Sequence, residues 1–458
     1  MIQTPQNQTK PNQPTEPKIM NRWIIVFGGI LIQLALGAIY AWSAFTTPLQ
    51  GTSGNLSEYA FTKTETQAIF SVGLLFFALF TIIGGRLQIK YGPMKIALLG
   101  GILLGSGYIL ASLVGANFIG KLICIGMIAG AGIGLAYVVP IATGVKWFPD
   151  KKGLVSGLAV AGFGFGAFIW ILLANPPSIL GFSGLITKQI GQYTYTVTNV
   201  DMAFRIYGIA FLVLVILGSL VMKNPPAGWK PQGWNPPQQT AQQKTTLNLK
   251  PREMLKNKQF YILWLMFCIG ALAGLMVIGN VQNFAKSPTD GFTAHNFTMQ
   301  EATDFAVIGA AVCLPIFNGI GRIVWGQLSD KIGRRKTFII MFLFQAGMMT
   351  IFLYTTENPY FFFIAAAIIG FNFGANFALF PAATADSFGS ENLSINYGFI
   401  FTSYGVGGIV GPILAGMVQD ANMSFLYAFI PAAILCLIAA CLALIYKENA
   451  SPGTKKTS

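Results

Sequence analysis

The sequence predicts an all-α membrane protein of twelve transmembrane helices, arranged as two six-helix, pseudo-symmetric halves. Three observations predict it. Of 458 residues, 54% are hydrophobic and only 10% charged, with a mean hydropathy of +0.61, a balance foreign to soluble globular chains. Apolar stretches of about 20 residues, enough to cross a bilayer core of about 30 Å, recur from end to end. Chemically distinctive residues also recur at one constant offset, which marks an internal duplication.

The spans fall near 22–46, 66–88, 94–114, 119–145, 153–174, 203–222, 259–284, 302–327, 337–355, 360–384, 395–419 and 424–446. Residues 1–21 are polar and run into the first span without a cleavage motif, so they read as a cytoplasmic tail before an uncleaved helix. Residues 22–222 form the first half and 258–446 the second, with a second tail at 447–458. Between the halves, 223–257 is rich in Pro, Gln and Lys and reads as a loosely ordered cytoplasmic linker. The loop at 175–201 carries Gly, Thr and Tyr residues compatible with local structure, and no function is assigned to it. The 52 glycines and 23 prolines would break up a soluble helical protein but suit close packing and bends in lipid.

A net charge of +14 invites a nucleic-acid reading, which the positions of the charges dispose of. With both termini inside, only Lys63, Lys121, Lys188 and Lys286 fall in outer loops and only Arg205 and Arg322 within helices, leaving 23 of the 29 Lys and Arg on the inner side. That is the positive-inside bias of a multi-pass plasma (inner) membrane protein with cytoplasmic termini. The five cysteines lie in apolar spans and suggest neither disulfide nor metal site. The single His295 is in a loop, and no nucleophile–base pairing points to an enzyme. No cofactor is expected.

The duplication has an offset of 241 residues. Gly85, Lys90, Gly92 and Lys95 after helix 2 meet Gly326, Lys331, Gly333 and Lys336 after helix 8. Pro140 meets Pro381, and Gly157, Gly164 and Gly166 meet Gly398, Gly405 and Gly407. Parallel halves of this kind place a site between them near mid-membrane.

Helix 8 carries the strongest functional signal. Arg322 lies eight residues before Asp330, which opens the basic turn closing at Lys336, so it sits roughly 12 Å inside that turn. A permanent cation so deep is expensive and marks a substrate or ion pathway. Asn318, one turn away on the same face, can support whatever Arg322 holds. The bland reading, an arginine bracing helices through carbonyls, stands beside it.

The loop Gly326-Gln-Leu-Ser-Asp330-Lys331-Ile-Gly333-Arg334-Arg335-Lys336 matches the loop signature of the major facilitator superfamily in full. There the aspartate can pair with basic residues and helix termini across the bundle, as a latch between rocking halves. The first-half copy has Ile89 where the acid belongs. Gly37-Ala-Ile-Tyr40-Ala-Trp42-Ser43, Trp147-Phe-Pro-Asp150-Lys-Lys-Gly153, Asn318-Gly-Ile-Gly-Arg322, Ala378-Leu-Phe-Pro381 and Asn396-Tyr397-Gly398 narrow the likeness. Over essentially its whole length the chain resembles the oxalate/formate antiporter family.

That resemblance implies alternating-access transport of a small carboxylate, with Arg322 binding the carboxylate and Tyr137, ten residues before the Trp-Phe-Pro motif, lining the pocket. Oxalate exchangers of the family carry a helix 11 lysine seven residues after the motif tyrosine, where this chain has Tyr404. One buried cation balances one carboxylate, which shifts the expectation toward a monocarboxylate of the lactate, pyruvate, formate or glycolate class. Oxalate/formate exchange remains an alternative. Related proton-linked monocarboxylate carriers place an aspartate four residues before their arginine; here Asn318 cannot titrate, so exchange against a counter-anion is favoured over proton symport. A carboxylate sensor without turnover is the reading from another class. The other partners expected are the lipid bilayer alone, and a monomer suffices.

Several polar residues carry bland expectations. Arg205, four residues past Asp201, reads as half of an intrahelical ion pair. Gln33, Asn372 and Asn376 read as helix–helix hydrogen bonds, and Gly162, Gly164 and Gly166 as close packing. The offset mates of Arg322, Tyr137 and Tyr404 are Thr81, Ala378 and Phe163, so the proposed site residues do not repeat.

Overall fold

A computed structural model describes residues 20–50, 59–148, 152–174, 176, 184–190, 193–196, 200–226, 229–231, 249–389 and 392–447. Most of the 1–21 and 447–458 tails, the middle of the linker, and Pro149 and Asp150 of the Trp-Phe-Pro motif lie outside the described residues. Among the described residues, twelve helices are long and apolar enough to cross a membrane. They are α1 (Trp23–Leu49), α2 (Lys63–Tyr91), α3 (Pro93–Ala111), α4 (Phe118–Gly144), α5 (Gly157–Ala174) and α6 (Val200–Leu220) in the first half. The second half holds α7 (Lys258–Ala285), α8 (Met299–Ile332), α9 (Arg334–Glu357), α10 (Pro359–Phe388), α11 (Ile395–Asp420) and α12 (Leu426–Ile445). The chain is thus a multi-pass membrane protein with an even number of spans, so the two ends of the bundle can be called the terminal face and the far face.

The duplication is written into the helix ends. Gly92 and Gly333 both adopt positive φ, 87° and 91°, where a side chain would be strained. Their N–H groups bond back to the Gln88 and Ser329 carbonyls at 3.0 and 3.1 Å, stopping α2 and α8 identically. At the opposite ends, Thr62 with Glu65 and Thr298 with Glu301 form the same capping box. The two boxes lie 236 residues apart, so a fixed offset of 241 does not align them.

Four spans depart from regular α geometry, α9 among them with a closing 3-10 stretch at Phe352–Glu357. In α1 the stretch Gly37–Trp42 tightens into a 3-10 turn, while α4 widens to π geometry over Leu122–Ala129 and α8 over Gly309–Cys313. The α8 bulge ends nine residues before Arg322 and runs directly into Leu314–Pro315. The 175–201 loop does carry local structure: an antiparallel hairpin of β1 (Thr187–Ile190) and β2 (Tyr193–Thr196).

At the far face the halves are joined by polar contacts. The Asp420 carboxylate at the end of α11 accepts from the Lys63 and Thr64 N–H groups at 3.1 and 2.9 Å, capping α2. Gln67 Nε2 donates to the Gly279 carbonyl at 3.2 Å. Linker ends dock on their own halves instead: Trp147 Nε1 donates to the Lys223 carbonyl at 2.6 Å, and Asn396 Nδ2 to the Leu249 carbonyl at 3.0 Å.

Two sequence expectations fail here. Asp201 does not pair with Arg205; it accepts from Lys121 Nζ at 2.5 Å and Tyr59 OH at 2.7 Å, while Arg205 Nε reaches Ser112 Oγ at 3.3 Å. Lys121 is therefore no loop anchor. It is fully buried in the first turn of α4, with Nζ also on the Ala111 carbonyl at 2.7 Å. A spatial neighbour in a low-dielectric pocket outcompetes the i,i+4 partner, whose side chain reaches solvent more cheaply. Lys121→Met alone should cost about 3 kcal/mol of stability, the low end for a broken buried pair because Asp201 stays partly exposed. The double variant Lys121→Met/Asp201→Leu should recover most of it; unfolding in detergent, followed by heating, measures both.

Candidate functional site

The site is built on a close crossing of α8 with α10. A Cβ at Gly321 would stand 1.9 Å from the Phe371 carbonyl, and one at Gly374 2.3 Å from the Asn318 carbonyl. Only glycine allows that approach, and it presses the next residue, Arg322, into the bundle interior. Arg322 is 3% exposed and Asn318 2%. Arg322 Nε donates to Asn318 Oδ1 at 2.9 Å within the helix. Nη1 crosses to the first half and donates to the Val160 carbonyl of α5 at 3.1 Å. Nη2 is buried without a partner, and so is Asn318 Nδ2.

Aromatic faces supply the rest of the surroundings. The guanidinium carbon lies 4.2 Å from the Phe377 ring centroid and 5.9 Å from that of Phe163. A desolvated cation–π contact contributes about 2 kcal/mol, against an effective penalty of several kcal/mol for burying the ion. Among the described residues no carboxylate pairs with Arg322. The charge is held, but not neutralised.

Tyr137 of α4 stacks on Phe401 of α11 at 5.4 Å and meets Phe77 of α2 edge-on at 4.9 Å. Tyr404 stacks on Phe401 at 4.8 Å and meets Phe377 at 5.6 Å. Its hydroxyl is 2.9 Å from that of Tyr40, and Tyr40 packs on Phe163 at 4.9 Å. Tyr397 OH is buried without a partner. Edge-on and stacked pairs of this kind contribute about 0.5–1.5 kcal/mol each beyond their burial. All four tyrosines are buried, so the cage is shut from both faces.

The structure therefore brings Arg322, Asn318, Tyr137 and Tyr404 into one aromatic cage. Sequence reasoning missed Tyr40, Tyr397, Phe163, Phe377 and the Val160 carbonyl. Tyr40 and Tyr397 lie inside the Gly37–Ser43 and Asn396–Gly398 motifs, Phe163 is the offset mate of Tyr404, and a backbone carbonyl leaves no sequence signal. Gln33 and Asn372 bond from helix to helix as expected, whereas the Asn376 amide bonds within α10 itself. Gln33 Nε2 donates to the Tyr137 carbonyl at 3.0 Å, Asn372 Nδ2 to Gln345 Oε1 at 2.8 Å, and Asn376 Nδ2 to the Phe373 carbonyl at 3.1 Å. Gly164 packs against the Pro315 carbonyl of α8.

The signature loop is separate from the cage. Asp330 pairs with Arg334 at 2.7 Å, and Arg334 Nε with Asp386 of α10 at 3.0 Å. Arg334 also contacts Ser329. Gly326 and Gly333 are part-buried, Lys331 exposed. In this conformation the acid pairs inside the second half rather than across the bundle, because Arg334 is the nearer cation.

What the arrangement offers is one cation with one open N–H edge, an open amide donor and the unpartnered Tyr397 hydroxyl, in a lining that is mostly aromatic carbon. Chemically, these donors match the acceptor atoms of a small anion, which a few polar contacts would orient.

The sequence matches the family described as the Major Facilitator Superfamily over residues 20–294 and again over 291–458. It is 30% identical to the MFS-type transporter YhjX of Escherichia coli K12, over 85% of this chain and 86% of that one. It is 29% identical to the oxalate:formate antiporter of Oxalobacter formigenes, covering 95% and 94% of the two chains. Identity to apicoplast pyruvate carrier 1 of Toxoplasma gondii is 28%, over 83% and 81%.

A buried cation with an unpaired N–H group weakens the fold that carries it. Arg322→Met, which keeps length and removes charge, should raise stability by about 1–2 kcal/mol, visible as a higher melting temperature in detergent. A structural brace would instead lose stability on that substitution.

Proposed function

The chain belongs to the major facilitator superfamily of membrane transporters, and on that premise we propose that it carries a small monocarboxylate of the lactate, pyruvate, formate or glycolate class by alternating access. The observation that carries this reading is Arg322: buried between the halves, bonded to both, and left with Nη2 open and no carboxylate partner among the described residues. A substrate carboxylate satisfies that edge, with Asn318 Nδ2 beside it. Tyr137 and Tyr404 supply hydroxyls for a hydroxy or keto group, with Tyr40 and Tyr397 beside them.

Binding also explains occlusion. A carboxylate on Arg322 neutralises the charge that otherwise resists burial, so the loaded site is the one that can rock. With Asn318 rather than an acid beside the arginine, the substrate itself does this work, which favours exchange of one carboxylate for another over proton symport. The terminal face is read as cytoplasmic and the membrane as the plasma (inner) membrane. The loop Gly326, Asp330, Lys331, Gly333 and Arg334 is read as the cytoplasmic gating element.

Oxalate exchange is the second reading, favoured by the named activity of the Oxalobacter relative. Its dianion needs a second cation, and Tyr404 offers a hydroxyl already shared with Tyr40.

Counterflow in proteoliposomes, preloaded with unlabelled lactate, formate or oxalate and challenged with each labelled acid, separates these readings. The expected result is monocarboxylate uptake that oxalate inhibits weakly. Arg322→Gln should lower kcat/KM at least about thirty-fold, the effect of losing about 2 kcal/mol. Efficient oxalate exchange would establish the second reading. Unchanged transport by the variant would leave Arg322 a brace.

A further inference from the structure

Lys286 is the first residue beyond α7, at the far face, where the end of α1 meets the end of α7. Its Nζ donates to Thr47 Oγ1 of the opposite half. One turn earlier, Thr46 Oγ1 bonds Asn283 Oδ1 at 3.3 Å across the same seam. Asn283 Nδ2 is buried there without a partner, as is Ser43 Oγ, one turn below Thr46. Ser43, the lowest rung, is three residues beyond Tyr40, so this ladder begins roughly 5 Å above the cage.

Its chemistry is one-signed. Lys286 contributes an ammonium, Asn283 an amide donor, and Ser43 and Thr46 hydroxyls. Three acids of this face are engaged elsewhere: Asp420 on the start of α2, Asp290 on Ser424 and the Phe425 N–H, and Asp201 on Lys121. Among the described residues no carboxylate pairs with Lys286. Desolvation draws its ammonium down to about 8, so it is still charged at neutral pH and gains from an incoming anion.

We infer that Lys286, Asn283, Thr46 and Ser43 form an outer capture subsite, which holds a carboxylate when the far-face seam parts and passes it down to Arg322. The inference rests on the proposed function for the identity of the anion. An anion would replace Thr47 as the acceptor of the Lys286 bond, and opening would free the Thr46 hydroxyl from Asn283 Oδ1 beside the Nδ2 donor that already lacks a partner. A cation at the mouth of a narrow, low-dielectric path raises the local anion concentration and the rate of entry.

The test is sided. Lactate uptake is measured in right-side-out vesicles, which present the far face, and in inside-out vesicles, which present the other. Lys286→Gln is expected to raise KM at the far face about five- to ten-fold, with kcat and the opposite-face KM within about two-fold of the parent. Lys286→Arg, which keeps the charge, should restore the far-face KM. Thr47→Val, which removes the clasp but not the cation, should not raise it. Asn283→Asp repeats the test without touching the lysine, by placing a repelling charge in the ladder, and should also raise far-face KM alone. Equal changes at both faces, no change, or a lower far-face KM in Lys286→Gln would overturn the inference and leave Lys286 a clasp on the seam. A parent protein that moves no monocarboxylate would defeat the function proposed above. One that does so with Lys286→Gln indifferent would defeat only the capture subsite.

Discussion

An unneutralised guanidinium in the middle of a membrane bundle is the constraint around which this molecule is arranged. Burying an ion carries an effective penalty of several kcal/mol. The surrounding structure offsets part of it with a side-chain amide, a backbone carbonyl and two aromatic faces. None of these carries a full negative charge. Arg322 is thereby kept in place while its demand for an anion persists, a balance that a carboxylate partner on a neighbouring helix would abolish.

The second half provides the charge and the first half provides much of the enclosure. Arg322 and Asn318 come from α8, Phe377 from α10 and Tyr404 from α11; Val160 and Phe163 come from α5, Tyr40 from α1 and Tyr137 from α4. The aromatic lining is more symmetric than the polar chemistry. Phe163, the offset mate of Tyr404, lies against the same guanidinium and differs from tyrosine only by the hydroxyl. Thr81, the mate of Arg322, is spent on its own helix, bonding the Phe77 carbonyl at 2.8 Å. The duplicated frame thus supplies aromatic surroundings from both copies, while the cation stands in one copy alone.

The fold was legible because it depends on properties a sequence displays directly: apolar length, charge on one side, and glycines that must recur where backbones approach or turn. Gly92 and Gly333 stand in register for that reason. Arg322 and Asn318 were legible because charge and depth can both be counted along one helix. The cage was less so. Phe377 and Phe163 are two among 38 phenylalanines, and nothing in the chain distinguishes those facing a cation from those facing lipid. Asp201 illustrates the other limit. Periodicity offered Arg205 as its partner, whereas Lys121, 80 residues away, takes it by tertiary proximity.

The bond from Arg322 to Val160 has an evolutionary corollary. Its acceptor belongs to the main chain, so no substitution at position 160 can delete it while α5 remains helical at that point. Side chains around Arg322 can be exchanged without touching that acceptor. On the first-half side, the tie between the halves is shielded from point mutation. A lineage built on this bundle can therefore vary the surroundings of the cation residue by residue and still keep the bond that joins its two halves.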